Sequence, residues 1–354
     1  MNNSSNIALL SPAVGTPNVG DSFIETAIRR LLRDDVDFQR FSIRRPLEQR
    51  EIDAINECAC ALICGTNLYQ HDWHSALTPA VIERFKVPVI PFGVGSSAAS
   101  LGDIGVSDMT RQMIQIMHSR CALGSVRDPH SALVVGSSGV TNFVTTGCPV
   151  LFWSGRETLP MIQPLKRHRI VVTARNWLMH RWPDNVDHPV QIHFLRAILE
   201  HFPDDQVVFA VHEEWDDRLV DLIPIPRHLV FRSNDPEDYV RLYTNPANIV
   251  LAMRLHAGML ALANGVPAVF VGHDTRTYSF CEMMDVEYVD LFATSCADEC
   301  IKRLQQILDG DLSSLVGTHS RYQQLCAAMR RFLTANSLPV RESAVQVRSH
   351  VGVA

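Results

Sequence analysis

Short apolar runs, each closed by Gly, Pro or Asn, alternate with segments of helical period along most of this 354-residue chain. A strand that is apolar almost throughout, with no polar face, has to be covered on both sides. That is the signature of a parallel sheet between helices. Residues 7–14 read as the first such strand, and Phe23, Ile24, Ala27, Ile28, Leu31 and Leu32 mark one face of the helix after it. Strands are expected again at 59–64, 87–94 and 121–126, with a helix around 109–117. The pattern restarts with strands at 168–174 and 206–211 about a helix near 189–200. Strands at 228–232, 249–253 and 266–271 follow, and helices near 296–308 and 314–333 close the series.

A chain of this length holds two domains at about 150 residues each. The polar, proline-containing stretch 154–168 is the natural linker. The expectation is therefore two α/β halves, 1–160 and 166–335, with a tail at 336–354 that can cross back onto the first half. Two such facing α/β domains put the loops at the carboxyl ends of their strands around a shared cleft.

Composition removes several function classes. Apolar residues at 46% and charged residues at 20% suit a globular core and not a disordered chain. The formal charge of −6 leaves no bulk positive field for nucleic acid or an anionic membrane. No stretch of about 20 apolar residues occurs, so no membrane-spanning helix is expected. The first ten residues carry no Lys or Arg and run into a Gly/Pro/Asn loop, which reads as a buried strand and not a signal peptide. The nine cysteines form no close CxxC pair. They read as buried free thiols of a reducing cytoplasm, with no structural zinc.

Six strand-terminal loops carry unusual side chains. GTPNVGDS (15–22) precedes a helix with Asp21 or Ser22 as its expected N-cap; it is either an anion-binding turn or a plain capped one. It matches neither a Walker A loop nor GxGxxG. CGTNLYQHDWH (64–74) offers Asn67, Gln70, His71, Asp72 and His74 for hydrogen bonds to a polyol, with Tyr69 and Trp73 as stacking surfaces. PFGVGSS (91–97) permits a close backbone approach. In GSVRDPHS (124–131), Asp128 and Pro129 fit N-cap and N1 of a helix, and Arg127 either pairs with Asp128 or reaches the cleft. Arg175 ends the first strand of the second half, where it is a carboxylate or phosphate clamp or a domain salt bridge. The strongest signal is MRLHAG (253–258). Strand alternation would put Arg254 and His256 on one side, at the start of a short helix. A second cluster, His273, Asp274 and Arg276, follows the next strand.

With these residues in view, the chain resembles the polysaccharide pyruvyl transferase family. The resemblance rests on Asn18, Gly20 and Asp21, on GTNLYQHD at 65–72, and on VRD at 126–128. It rests most specifically on RLHAG at 254–258 with GVPAVFVGHD at 265–274. Two departures stand out: CGT replaces a more usual GGG, and Arg276 stands where Lys is common. The resemblance implies a GT-B type fold and transfer of pyruvate from phosphoenolpyruvate onto two hydroxyls of a sugar in a bacterial surface glycan or its precursor. No cofactor or metal is implied.

The expected roles follow. His256 is the proton donor, although surrounding arginines favour its neutral form. Arg254 and Arg175 clamp the donor, with Arg276 and Arg127 next, and Asn18, Gly20, Asn67, Gln70 and His273 contact substrate. Asp72, ahead of Asp21, orients or deprotonates the acceptor. Expected partners are phosphoenolpyruvate and a glycan, nucleotide-linked or lipid-linked sugar. The expected location is the cytoplasm, at the inner membrane face if the acceptor is lipid-linked. The arginines at 40, 44, 45 and 50 read as a membrane-contact patch or a solvated face. The alternatives are a GT-B glycosyltransferase using a nucleotide sugar, and a non-catalytic carbohydrate-binding relative.

Overall fold

The computed structural model describes residues 6–16, 18–162, 169–173, 175, 188–223, 225–315 and 317–341. Twelve strands lie among them. The first six are β1 (Ile7–Ser11), β2 (Phe38–Ser42), β3 (Cys60–Cys64), β4 (Val89–Phe92), β5 (Gly124–Val126) and β6 (Phe143–Thr145). The second six are β7 (Arg169–Thr173), β8 (Val207–Ala210), β9 (Val230–Phe231), β10 (Asn248–Ala252), β11 (Ala268–Gly272) and β12 (Tyr288–Asp290).

One sheet runs β2-β1-β3-β4, and the pair β5-β6 adjoins it through a parallel bridge from Val94 to Val126. The other sheet runs β12-β11-β10-β7-β8-β9. Every strand pairing is parallel. Counted within each half, these are the two doubly wound orders, in which the chain reverses direction beside the first strand. The reversal points lie between β1 and β3 and between β7 and β10. Ligands of open α/β sheets bind outside such points, at the carboxyl ends of the strands.

The fully apolar strands are buried along their whole length, as their two-faced composition requires: β1, β3, β10 and β11 expose no residue. The helix Val19–Leu31 packs on β1 and β3, the helix Leu255–Ala263 packs on β10 and β11, and the two helices touch each other. One apolar cluster runs through both halves. Phe23 meets Tyr243 edge-on at 6.2 Å between ring centroids and Trp153 at the same distance.

The chain returns to the first sheet at its end. In the helix Thr318–Ala335, Phe332 lies 4.8 Å from Phe92, and Asn336 exchanges hydrogen bonds with the backbone of Leu123. Val340 bridges Leu32, and Arg341 N–H donates to the Leu31 carbonyl. The same helix grips the segment between the sheets: Tyr322 donates to the Arg156 carbonyl, and Arg330 pairs with Glu157. Residues 342–354 of the expected tail lie outside the described residues. Among the described residues, no helix is long and apolar enough to cross a membrane.

Candidate active site

The loops that leave the strands at both reversal points converge on a single chamber of about 210 Å³. From the first half come Asn18, Gly20 and Asp21 after β1, Asn67 after β3 and Arg127 after β5. From the second half come Arg175 after β7, Arg254 and His256 after β10, and His273 and Arg276 after β11. Gln70 and Asp72 do not reach it. They line an adjoining outer chamber of about 450 Å³, whose wall shares Asn67, Arg175 and Arg276 with the inner one.

Local structure differs from the sequence expectation at several points. The N-cap of the helix Val19–Leu31 is Asn18, whose Oδ1 accepts from Gly20 N–H at 3.0 Å, and neither Asp21 nor Ser22. The helix begins earlier because Asn18, in extended conformation, caps as well as Asp does. Asp21 is thereby released into the chamber, where its carboxylate meets Arg44 at 2.9 Å. Arg254 and His256 do not alternate on a strand. β10 ends at Ala252, Arg254 is the N-cap residue of Leu255–Ala263, and His256 is in its first turn. Tyr69 is no stacking surface: it is fully buried, with its hydroxyl 3.1 Å from His118 Nε2. Trp73 is spent on a hydrogen bond to the Leu77 carbonyl. Asp128 caps its helix as expected, accepting from Ser131 N–H at 2.8 Å. The arginine patch is neutralised: Arg40 pairs with Glu25, Arg45 with Glu51 and Arg50 with Glu48.

Charge in the inner chamber is held in pairs. Arg254 is buried, and its guanidinium binds Asp216 at 2.6 Å and contacts Glu213. Burial opposes its charge, yet Asp216 and Glu213 outweigh that and hold its pKa above the usual arginine range. Its Nε–H is buried with no hydrogen-bond partner among the described residues. Arg127 pairs with Asp128 at 2.9 Å and donates to the Ser96 carbonyl. Arg276 pairs with Asp274. Burial raises the Asp274 carboxyl, but Arg276 and His273 prevail and keep it ionised far below the usual range. Around Arg175, burial and then Arg276 and Arg254 press the guanidinium pKa downward, which is the environment an incoming anion relieves.

His256 is pushed down to about 3 by burial first, then by Arg127, Arg276, Arg254 and Arg175. His273 falls to about 3 for the same main reason, partly opposed by Asp274. Both rings are therefore neutral at pH 7 in the unliganded protein. Asp21 moves the other way, raised by burial and only partly restrained by Arg44.

His212, Glu213 and Asp216 were not among the residues singled out from the sequence, and Arg44 was read only as part of the arginine patch. Arg44, His212 and Glu213 line the inner chamber, and Asp216 anchors it from behind. The signal existed: VHEE at 211–214 leaves the carboxyl end of β8, the same position that flagged the other loops.

Comparison with known proteins agrees with this architecture. The family model described as polysaccharide pyruvyl transferase matches residues 18–275. No curated protein matches the chain. Among solved structures, UDP-N-acetylglucosamine 2-epimerase from Rickettsia bellii superposes with a TM-score of 0.55 at 12% identity, covering 93% of this chain and 95% of that one. The Neisseria meningitidis UDP-GlcNAc 2-epimerase bound to UDP-GlcNAc gives 0.54 at 12%, covering 94% and 100%. The S. aureus MnaA–UDP co-structure gives 0.54 at 10%, covering 94% and 97%. At such identities the likeness is one of fold, the two Rossmann-like domains of the GT-B type.

Proposed function

The chain belongs to the polysaccharide pyruvyl transferase family, and from that premise we propose that it moves pyruvate from phosphoenolpyruvate onto two hydroxyls of a sugar, releasing phosphate. The observation that carries this reading is the inner chamber. Arg127, Arg175, Arg254 and Arg276 converge with His256 on a volume sized for a small polyanion. The half formed by residues 166–335 then supplies most of the donor clamp, and residues 1–160 the acceptor side.

Phosphoenolpyruvate brings a carboxylate, a phosphate and a nucleophilic methylene carbon. Arg175, with its destabilised charge, and the orphan Nε–H of Arg254 are the groups that gain most from those anions. Protonation of the methylene leaves an oxocarbenium-like centre at C2, to which a sugar hydroxyl adds with loss of its proton. Phosphate leaves, and the second hydroxyl closes the ketal. Of the two hydroxyl protons, one replaces that given to the methylene and the other departs as hydrogen phosphate. His256 is the proton donor, and the arriving negative charge raises its affinity for the proton it lacks in the free protein. Asp21, buried in the same inner chamber and free of any capping duty, is the base in place of Asp72. The location consistent with this substrate is the cytoplasm, on the inner membrane face for a lipid-linked acceptor.

The test is phosphate release from phosphoenolpyruvate against a panel of simple and nucleotide-linked glycosides, with His256→Ala alongside. Acceptor-dependent release that the variant abolishes supports the assignment, together with a product heavier by the pyruvate ketal. A second reading, a glycosyltransferase or related enzyme acting on a nucleotide sugar, draws on the UDP and UDP-GlcNAc carried by two of the fold relatives. Stabilisation by UDP and none by phosphoenolpyruvate in a thermal melt would favour it.

A further inference from the structure

The outer chamber has a hydrogen-bonding character of its own. At its inner end stand the shared residues Asn67, Arg175 and Arg276; Gln70, His71, Asp72, His74 and Asp103 form the far wall. The far wall is rich in acceptors. His71 Nδ1 lies 3.2 Å from the Gly105 carbonyl, which can only accept, so that nitrogen carries the proton and a neutral ring presents Nε2 as an acceptor. Asn67 Oδ1 is buried and accepts no hydrogen bond among the described residues. Asp72 and Asp103 are exposed at the rim and form no ion pair among the described residues. Hydroxyl groups can donate to these acceptors and accept from the Gln70 amide in the same wall, whereas a carboxylate or phosphate brings only more acceptors beside Asp72 and Asp103.

Both cations of this chamber sit at the seam, where the donor's anionic groups claim them. The wall is also tied to that seam across the cleft. Ala98 N–H donates to Thr275 Oγ1 at 2.9 Å, and Thr275 N–H returns a bond to the Ala98 carbonyl at 3.1 Å. Thr275 immediately precedes Arg276 in the helix Thr275–Met284, so an occupant seated against this wall is registered with Arg276.

We propose, resting on the pyruvyl-transfer reading, that the outer chamber binds the acceptor as an uncharged, hydroxyl-rich sugar ring, and that Asp72 and Asp103 discriminate against a ring bearing a carboxylate. Asn67 Oδ1 and His71 Nε2 accept hydroxyl protons from the ring, with Asn67 beside the donor. The anionic carrier of such an acceptor stays outside the rim.

Saturation-transfer NMR on the full chain tests this, with methyl galactoside, methyl glucoside and methyl mannoside as neutral probes and methyl galacturonoside as the acidic one, each with and without phosphoenolpyruvate. At least one neutral glycoside is expected to receive saturation at its ring protons, with the galacturonoside weaker by about threefold or more, in line with exposed charges. The Asp72→Asn/Asp103→Asn double variant, its fold checked by thermal melting, should bring the two within reach of each other. Absence of every glycoside signal overturns the proposal. So does a galacturonoside signal equal to the best neutral one, or a ratio unmoved in the folded double variant. The rise in melting temperature caused by phosphoenolpyruvate alone reads the donor assignment separately. Its absence beside a neutral-glycoside signal defeats pyruvyl transfer and leaves the sugar chamber standing.

Discussion

Gly20 lies so close to His256 that a methyl group on its α-carbon would stand 2.8 Å from His256 Nδ1 and 3.3 Å from Asn18 Oδ1. A residue of the first half thus sets the position of a ring from the second. Gly20→Ala must displace either the imidazole or the cap, at a cost of about 1–3 kcal/mol for overpacking. Phosphate release should fall further than stability does, because the displaced ring is the proposed proton donor. Denaturant unfolding and steady-state kinetics on the same preparation separate the two, and unchanged kinetics would remove the contact from the mechanism.

Asp216 is the buried half of the Arg254 pair, with 1% of its side chain exposed. Asp216→Ala leaves that guanidinium with Glu213 as its ion-pair partner among the described residues and removes the acceptor of the His212 backbone N–H. Stripping one partner from a buried pair costs about 3–5 kcal/mol. Glu213→Gln, at the more accessible partner, should destabilise less and act mainly on the Michaelis constant for phosphoenolpyruvate. Equal destabilisation by the two substitutions would contradict this division.

Acid should weaken the fold. His256 and His273 sit at about 3 and His118 at about 4, all below the ordinary 6.5 and all chiefly through burial. Between these values the unfolded chain binds more protons than the folded one. The stability they contribute is present above about pH 6.5 and lost as pH falls toward 3 to 4. Asp21, raised by burial, opposes the trend but stands against these three and His212, which burial lowers in the same way. Melting temperature should decline from pH 7.5 to 4.5, and less steeply in His118→Gln; a flat profile would refute the burial of these rings in the neutral form.

Phe332 joins the last helix to the first sheet through Phe92 and is fully buried. Phe332→Ala should cost about 3–5 kcal/mol as a large core truncation. Because the same helix holds residues 156 and 157, the loss should also bring forward proteolysis of the segment between the sheets. Limited proteolysis in native buffer reads this, and an unchanged cleavage rate would mean that the grip is supplied elsewhere.

The strands that sequence reading missed, β2, β6 and β12, all lie at outer positions. β1, β3 and β10 lie between neighbours and are apolar on both faces, so their composition announces them. β2 and β12 are sheet edges, and β6 is the outer strand of its pair. With one side open, β2 keeps Gln39 and Arg40, and β12 keeps Asp290, so neither presents a continuous apolar run. The 228–232 segment shrank for a related reason: only Val230 and Phe231 pair, at the edge beyond β8, after a 3₁₀ turn at Arg227–Leu229.

Composition and spacing within short windows specified the parallel α/β class, the strand-terminal loops and most of the polar groups upon them. These are matters of local hydrogen bonding and burial, which neighbouring residues encode. The meeting of Gly20 with His256, the anchoring of Arg254 by Asp216, and the separation of Asp72 from the arginine chamber depend on packing between segments far apart in the chain. No window contains both partners. Their approach follows from the shared core that seats Phe23 against Tyr243 and brings the two reversal points face to face.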